Sequence, residues 1–253
     1  WHAIPYLDQG EFYAEFGNYE VQITLPDNYV VAATGDLQNA SEADWLKNKQ
    51  PFTRNLKAAK KAEQKKRAGM SEIPSSAKTK TLQYKQNNVH DFAWFADKTF
   101  SVKTDTLQLP SGKIITANAF YYSENKENWT NSITMIKRAI LTKSKWLGEY
   151  PYNVVSVVDG GNGGGMEYPT ITLLDDGGSE KSLDFVIYHE VGHNWFEAIL
   201  GTNERLHPWM DEGMNTYYDN RYSMQQYGNT NIEIGRTKSA FINNRLPDDI
   251  QHI

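Results

Sequence analysis

The residues best suited to chemistry lie in one run, Val186 to Phe196, which contains His189-Glu190-Val191-Gly192-His193. On a helix, positions i and i+4 sit one turn apart on the same face, so the two imidazoles can point at one shared ion. Glu190 flanks that face without being forced to ligate, the arrangement needed to take a proton from a metal-bound water. Such a centre needs a third protein ligand and an open position. Glu212, in Trp209-Met210-Asp211-Glu212-Gly213, follows His193 after eighteen residues and can supply a carboxylate from a second helix folded back on the first. His207 stands at a comparable distance and is kept as an alternative ligand. The composition agrees: the chain has no cysteine and six histidines, so any metal must be held by imidazoles and carboxylates.

A second run is unusually rich in glycine, with five glycines in the six positions from Gly160 to Gly165, followed by Met166, Glu167, Tyr168 and Pro169. It is not a phosphate-binding loop. No Gly-Lys-Ser/Thr follows, and the next element reads as extended rather than helical. Two readings stay open: a turn between strands, or a place where backbone must come close to a ligand. In the second, Glu167 stands at the lip of a cleft as a fixed anion.

These motifs must be positioned by regular elements. Ser182 is expected to cap the helix that carries the histidine pair, with an end near Leu200 and Gly201; a further helix is expected from about Trp209 to Gly228. Asn131 to Trp146 reads as another helix, with Ile133, Ile136, Ile140 and Leu141 on its apolar side. Val154–Val158 and Ile171–Leu174 read as buried strands. Upstream the period changes to two. Tyr19, Val21, Ile23 and Leu25 alternate with polar residues, a turn is expected at Pro26-Asp27-Asn28, and strand-like runs recur at residues 29–33, 82–86, 92–95 and 100–109. The turn Pro110-Ser111-Gly112 is taken as a boundary between a β-rich part, residues 1–109, and a second part, residues 110–253. A helical insertion is expected at about 38–78. It holds six basic residues between Lys57 and Arg67 and reads as a solvated face, since it lacks the interleaved aromatics of a nucleic-acid patch and the apolar face of a membrane helix.

Length and charge narrow the classes further. The chain has 253 residues, enough for a sizeable core, and its 7 Trp, 15 Tyr and 10 Phe argue against disorder over most of it. The net charge of −5 is uneven. Residues 1–110 carry 14 basic and 13 acidic side chains, and residues 111–253 carry 12 and 18, so the half with the histidine pair is the acidic one. No run approaches the ~20 apolar residues of a membrane span, and the opening residues do not read as a signal peptide.

Taken together, His189-Glu190-x-x-His193, the eighteen-residue gap and Glu212 closely resemble the gluzincin aminopeptidases related to aminopeptidase N and leukotriene hydrolase. Gly164-Gly165-Met166-Glu167-Tyr168 resembles that family's Gly-x-Met-Glu-Asn exopeptidase motif. The resemblance implies an α+β chain: the end of a saddle-like β domain, then a thermolysin-like zinc peptidase domain. It implies one Zn2+ on His189, His193 and Glu212, and Glu190 as the general base that deprotonates zinc-activated water. Glu167 would bind the substrate's free α-amino group, with Gly164, Gly165 and Met166 holding the peptide as an added strand. The implied activity is a hydrolase, a metalloprotease that removes N-terminal residues from peptides. A zinc endopeptidase and a diverged, non-catalytic zinc-binding module are the alternatives, with epoxide hydrolysis, found in one relative, as a remote third. Two departures stand out. Tyr168 takes the place of the family's Asn, and the family's downstream oxyanion Tyr falls beyond Ile253, while Tyr217 and Tyr218 lie too near Glu212 to replace it. The chain is therefore expected to be a fragment of a larger enzyme, of the bacterial periplasm, envelope or secreted fraction, acting on peptides with no nucleic-acid partner.

Overall fold

The computed structural model describes residues 13–49, 73–160, 165–175 and 178–228. The alternating run forms β1 (Gly17–Pro26), and the turn after it is closed by Tyr29 N–H donating to the Pro26 carbonyl. β2 (Val30–Ala33) and β3 (Asp36–Leu37) follow, then a short helix, α1 (Ala40–Asn48). The basic run from Lys57 to Arg67 lies outside the described residues. β4 (Thr79–Val89) pairs antiparallel with both β1 and β3, and β2 pairs antiparallel with β5 (Trp94–Asp97). Ile23, Val31, Ala33, Leu82 and Tyr84 fill the space between these two small sheets.

The second part is built on a five-stranded mixed sheet. β6 (Ser101–Gln108) and β7 (Ile114–Tyr121) form a hairpin; β8 (Val154–Asp159) runs parallel to β7, and β10 (Ile171–Leu174) parallel to β8. β9 (Gly165–Met166) lies antiparallel on the outer edge of β10, giving the order β6-β7-β8-β10-β9. A parallel step from β7 to β8 needs a crossover, and helix α2 (Ser132–Leu147) supplies it. Residues 110–112, where the sequence places a boundary, are the turn of the β6–β7 hairpin. Its two sides therefore share one sheet.

Each face of this sheet is covered. Ile115, Ala117 and Ala119 of β7, Val155 and Val157 of β8 and Leu174 of β10 point towards the helices. They meet Ile136 and Ile140 of α2, and Ile187, Tyr188 and Val191 of α3 (Glu180–Phe196). On the opposite face Phe120, Val158 and Ile171 pack under Val30 and Ala32 of β2. α3 is buried along nearly its whole second half, including Glu190 to Phe196, which marks a central rather than a surface helix. α4 (Glu212–Tyr227) packs beside it.

Three local expectations change. The cap of α3 is Ser179, not Ser182: Ser179 Oγ accepts the Ser182 N–H at 3.1 Å, so Ser182 is the residue capped. α3 ends at Phe196, and turns carry the chain on to Gly201. On α2 the buried face runs through Ser132, Met135, Ile136, Ala139, Ile140 and Lys143, while Leu141 is exposed. Residue 141 lies about 100° around the helix from Ile140, off the contact stripe. Among the described residues no helix is long and apolar enough to cross a membrane.

Candidate metal centre

α3 delivers His189 and His193 one turn apart, and α4 starts at Glu212, so this carboxylate reaches the pair from the first turn of a neighbouring helix. The two Nε2 atoms stand 3.3 Å apart, with the rings nearly perpendicular. Glu212 Oε2 lies 3.5 Å from His189 Nε2 and 3.9 Å from His193 Nε2. Bonds of about 2.0–2.1 Å in a tetrahedral zinc site separate ligand atoms by roughly 3.3–3.4 Å. The triangle fits such an ion.

The remaining ring nitrogens fit it too. His189 Nδ1 is 2.6 Å from Asp219 Oδ2, and His193 Nδ1 is hydrogen-bonded to Asp211 Oδ1. A carboxylate on Nδ1 fixes the tautomer that leaves Nε2 free to ligate, and it raises the basicity of the ring. Burial pulls both imidazole pKa values down. For His189 the hydrogen bond and charge of Asp219 outweigh that and leave the value raised; for His193 Asp211, with the charges of Glu167 and Glu212, lifts it well above the usual range.

Glu190 points into the same space. One oxygen of Glu190, one of Glu167 and a ring nitrogen of His193 lie within 4.8 Å of one another, and so do oxygens of Glu167, Asp211 and Glu212. Glu190 is buried, its Oε2 makes no hydrogen bond among the described residues, and burial pushes its pKa up against the pull of the two imidazoles. Any side chain at Gly165 would have to displace the Glu190 carboxylate. A Cβ there would fall 1.8 Å from Glu190 Oε1.

The structure thus brings His189, His193, Glu212, Glu190 and Glu167 together and sets Gly165 against Glu190. Met166 faces Leu173 across the β9–β10 pair, and Gly164 lies outside the described residues. His207 is exposed and belongs to none of the converging groups, which removes it as a ligand alternative. The loop after Glu167 is anchored at Thr170. Thr170, a β-branched residue with φ +64°, donates its N–H to Asn194 Oδ1 of α3 at 2.9 Å, and its Oγ1 accepts the Gly35 N–H at 2.8 Å. A left-handed β-branched residue is strained, and these two buried contacts hold it there.

Sequence reasoning missed several members of the site. Asp211 was visible as the neighbour of Glu212. Asn215 and Asp219 follow Glu212 at i+3 and i+7, the stripe of α4 that faces α3, and that spacing was the available signal. Behind His193, His90 Nε2 meets Glu197 Oε1 at 2.7 Å. Burial raises the pKa of both Glu197 and Glu204, which interact, so the two buried carboxyls do not both ionise.

No protein-family model matches the chain, and no curated protein matches it by sequence. Comparison with solved structures does find similar folds. An M1 zinc metallopeptidase from Deinococcus radiodurans matches over 84% of this chain and 41% of its own, at 18% identity and a TM-score of 0.57. A mutant M1 zinc metallopeptidase from the same organism, bound to a Tyr-Ser-Ala substrate, matches over 91% and 45%, at 16% identity and a TM-score of 0.59. Legionella pneumophila aminopeptidase A, in complex with aspartic acid, matches over 84% and 23%, at 12% identity and a TM-score of 0.62. The chain spans less than half the length of each. At the level of fold, this mixed α/β chain is similar to part of the M1 zinc metallopeptidases.

Proposed function

We propose that this chain is the zinc-binding core of an aminopeptidase, with His189, His193 and Glu212 as the ligands. The observation that carries the reading is the convergence of those three ligand atoms, with each Nδ1 held by its own carboxylate. When bound, the ion supplies Lewis acidity, polarising a scissile carbonyl and acidifying water. Glu190 takes a proton from the attacking water on its buried carboxylate and returns it to the leaving amine nitrogen. Glu167 pairs with the α-ammonium of the substrate. β9 pairs on one side only among the described residues, so its open edge can take the peptide as a further strand. The organisation that goes with this is a β-rich first part, about 1–109, and a thermolysin-like second part, about 110–253, with β6 completing the sheet of the second.

The test compares an aminoacyl anilide with its N-acetylated analogue, using the zinc-loaded chain and a longer parent if one exists. Hydrolysis confined to the free amine is the expected result. Equal rates on both would leave Glu167 as a mere wall of the cleft and turn the reading to an endopeptidase. Zinc binding with no turnover in either form would leave a non-catalytic zinc module.

A further inference from the structure

Lys143 is the outlier of α2. It lies on the buried face, with no solvent exposure, among Met135, Ile136, Ala139 and Ile140. Packing alone has no use for an ammonium there, and bringing one out of water costs several kcal/mol unless it is compensated. Its compensation is specific. Nζ lies 2.5 Å from Asn215 Oδ1 and 3.6 Å from Asp219 Oδ1, and stands 4.3 Å from the centre of the Tyr188 ring.

Both polar partners of Lys143 also touch His189. Asp219 gives its other oxygen to His189 Nδ1 at 2.6 Å, and Asn215 Nδ2 donates to the His189 carbonyl at 2.8 Å. The helix that carries the histidines is shaped around this arrangement. Gly192, three residues after His189, passes so close that a Cβ would fall 1.9 Å from Lys143 Nζ and 2.0 Å from Asn215 Oδ1. The charge balance points the same way. Asp211, Glu212, Asp219 and Glu190 surround a site meant for two positive charges, and Lys143 is a cation fixed on the far side of Asp219.

We propose that Lys143 is a positioning residue for the metal: its ammonium holds Asp219 and Asn215 in place behind His189, so that the imidazole presents Nε2 to the ion. This rests on the reading that His189 is a ligand. Lys143 touches neither ion nor substrate; it acts through Asp219. The role is therefore read out in metal affinity, and the coupling to Asp219 separates it from simple packing.

The experiment measures zinc affinity of the full chain by competition with a chromogenic chelator, for wild type, Lys143→Met, Asp219→Asn and the double variant. Unfolding of each metal-free protein is followed in urea. Lys143→Gln, which keeps a donor for Asn215 without the charge, serves if Lys143→Met does not fold. Substitution of groups that orient metal ligands costs about 10–100-fold in affinity. Lys143→Met is expected near the lower end, and it should add little once Asp219 is already Asn. Unchanged zinc affinity in a folded Lys143 variant overturns the inference and leaves the metal centre intact. Fully additive losses in the cycle overturn it as well, since they would show a packing role. A wild-type chain that binds no zinc overturns the metal centre itself, and the inference with it.

Discussion

Replacing Glu190 by Gln tests the division of labour at this site. The change keeps shape and removes one charge. Glu190 is buried, its Oε2 has no hydrogen-bond partner among the described residues, and burial raises its pKa. A carboxylate disfavoured by its surroundings destabilises the folded chain at neutral pH, so the metal-free Gln variant should unfold at the same temperature as wild type or higher. Catalysis should move the other way. A positioned acid–base group contributes roughly 10²–10⁴-fold, or about 2.7–5.4 kcal/mol in the barrier. Zinc content should stay near one ion per chain, because the His189–His193–Glu212 triangle does not include Glu190. This last point discriminates, since Glu190 also belongs to a rival cluster with Glu167 and His193. The assay is anilide hydrolysis alongside metal analysis and thermal unfolding, on one preparation. Turnover within tenfold of wild type would show that another group takes the proton. Loss of zinc would place the ion in the rival cluster.

Other outcomes follow from the same geometry. Gly192→Ala puts a methyl where Lys143 Nζ and Asn215 Oδ1 already sit. Overpacking of about 1–3 kcal/mol should outweigh the ~1 kcal/mol helix-propensity gain of Ala over Gly, and a variant more stable in urea would contradict it. The metal-free chain should lose stability as pH rises from about 5.5 to 8. His189, His193, Glu190, Glu197 and Glu204 all have folded pKa values raised above the ordinary imidazole and carboxyl values. At these five groups the folded state holds more protons than the unfolded one, and the stability present below those ordinary values is given up as pH passes through the folded ones; His90, lowered by burial, offsets part of this. Lys143, lowered to about 8 by burial, opposes this loss only above that pH. Zinc affinity should rise over the same range, because both Nε2 protons must leave. Urea midpoints with and without a chelator at the two pH values check both trends, and a metal-free chain more stable at the higher pH would refute the first.

The parts of the site that were legible in the sequence are those fixed by one helix. His189 and His193 need only the 3.6-residue period to share a face, and Glu212 needs only a second helix returning beside the first. The groups behind them depend on how helices pack. Lys143 reads as one of several lysines on a surface helix until α2 is seen buried against α3. Asp219 gains its role only when α4 turns that face towards His189. Leu141 was misplaced for the same reason: the apolar stripe on α2 was extended one residue past Ile140, beyond the contact that Ile136 and Ile140 make with the core. The β-rich part was legible where polar and apolar residues alternate, as in β1. The hairpin at residues 110–112 was not, because a Pro-Ser-Gly turn looks the same between domains as within one sheet.

Thr170 gives the molecule something like a ruler. Its strained backbone is clamped between Asn194, next in sequence to His193, and Gly35 in the first part of the chain. Glu167, three residues upstream, is thereby tied to the same rigid helix as the imidazoles. Under the proposed function, the distance from the Glu167 backbone to the two imidazoles would be fixed by this clamp, leaving only the Glu167 side chain to adjust to a peptide's terminus.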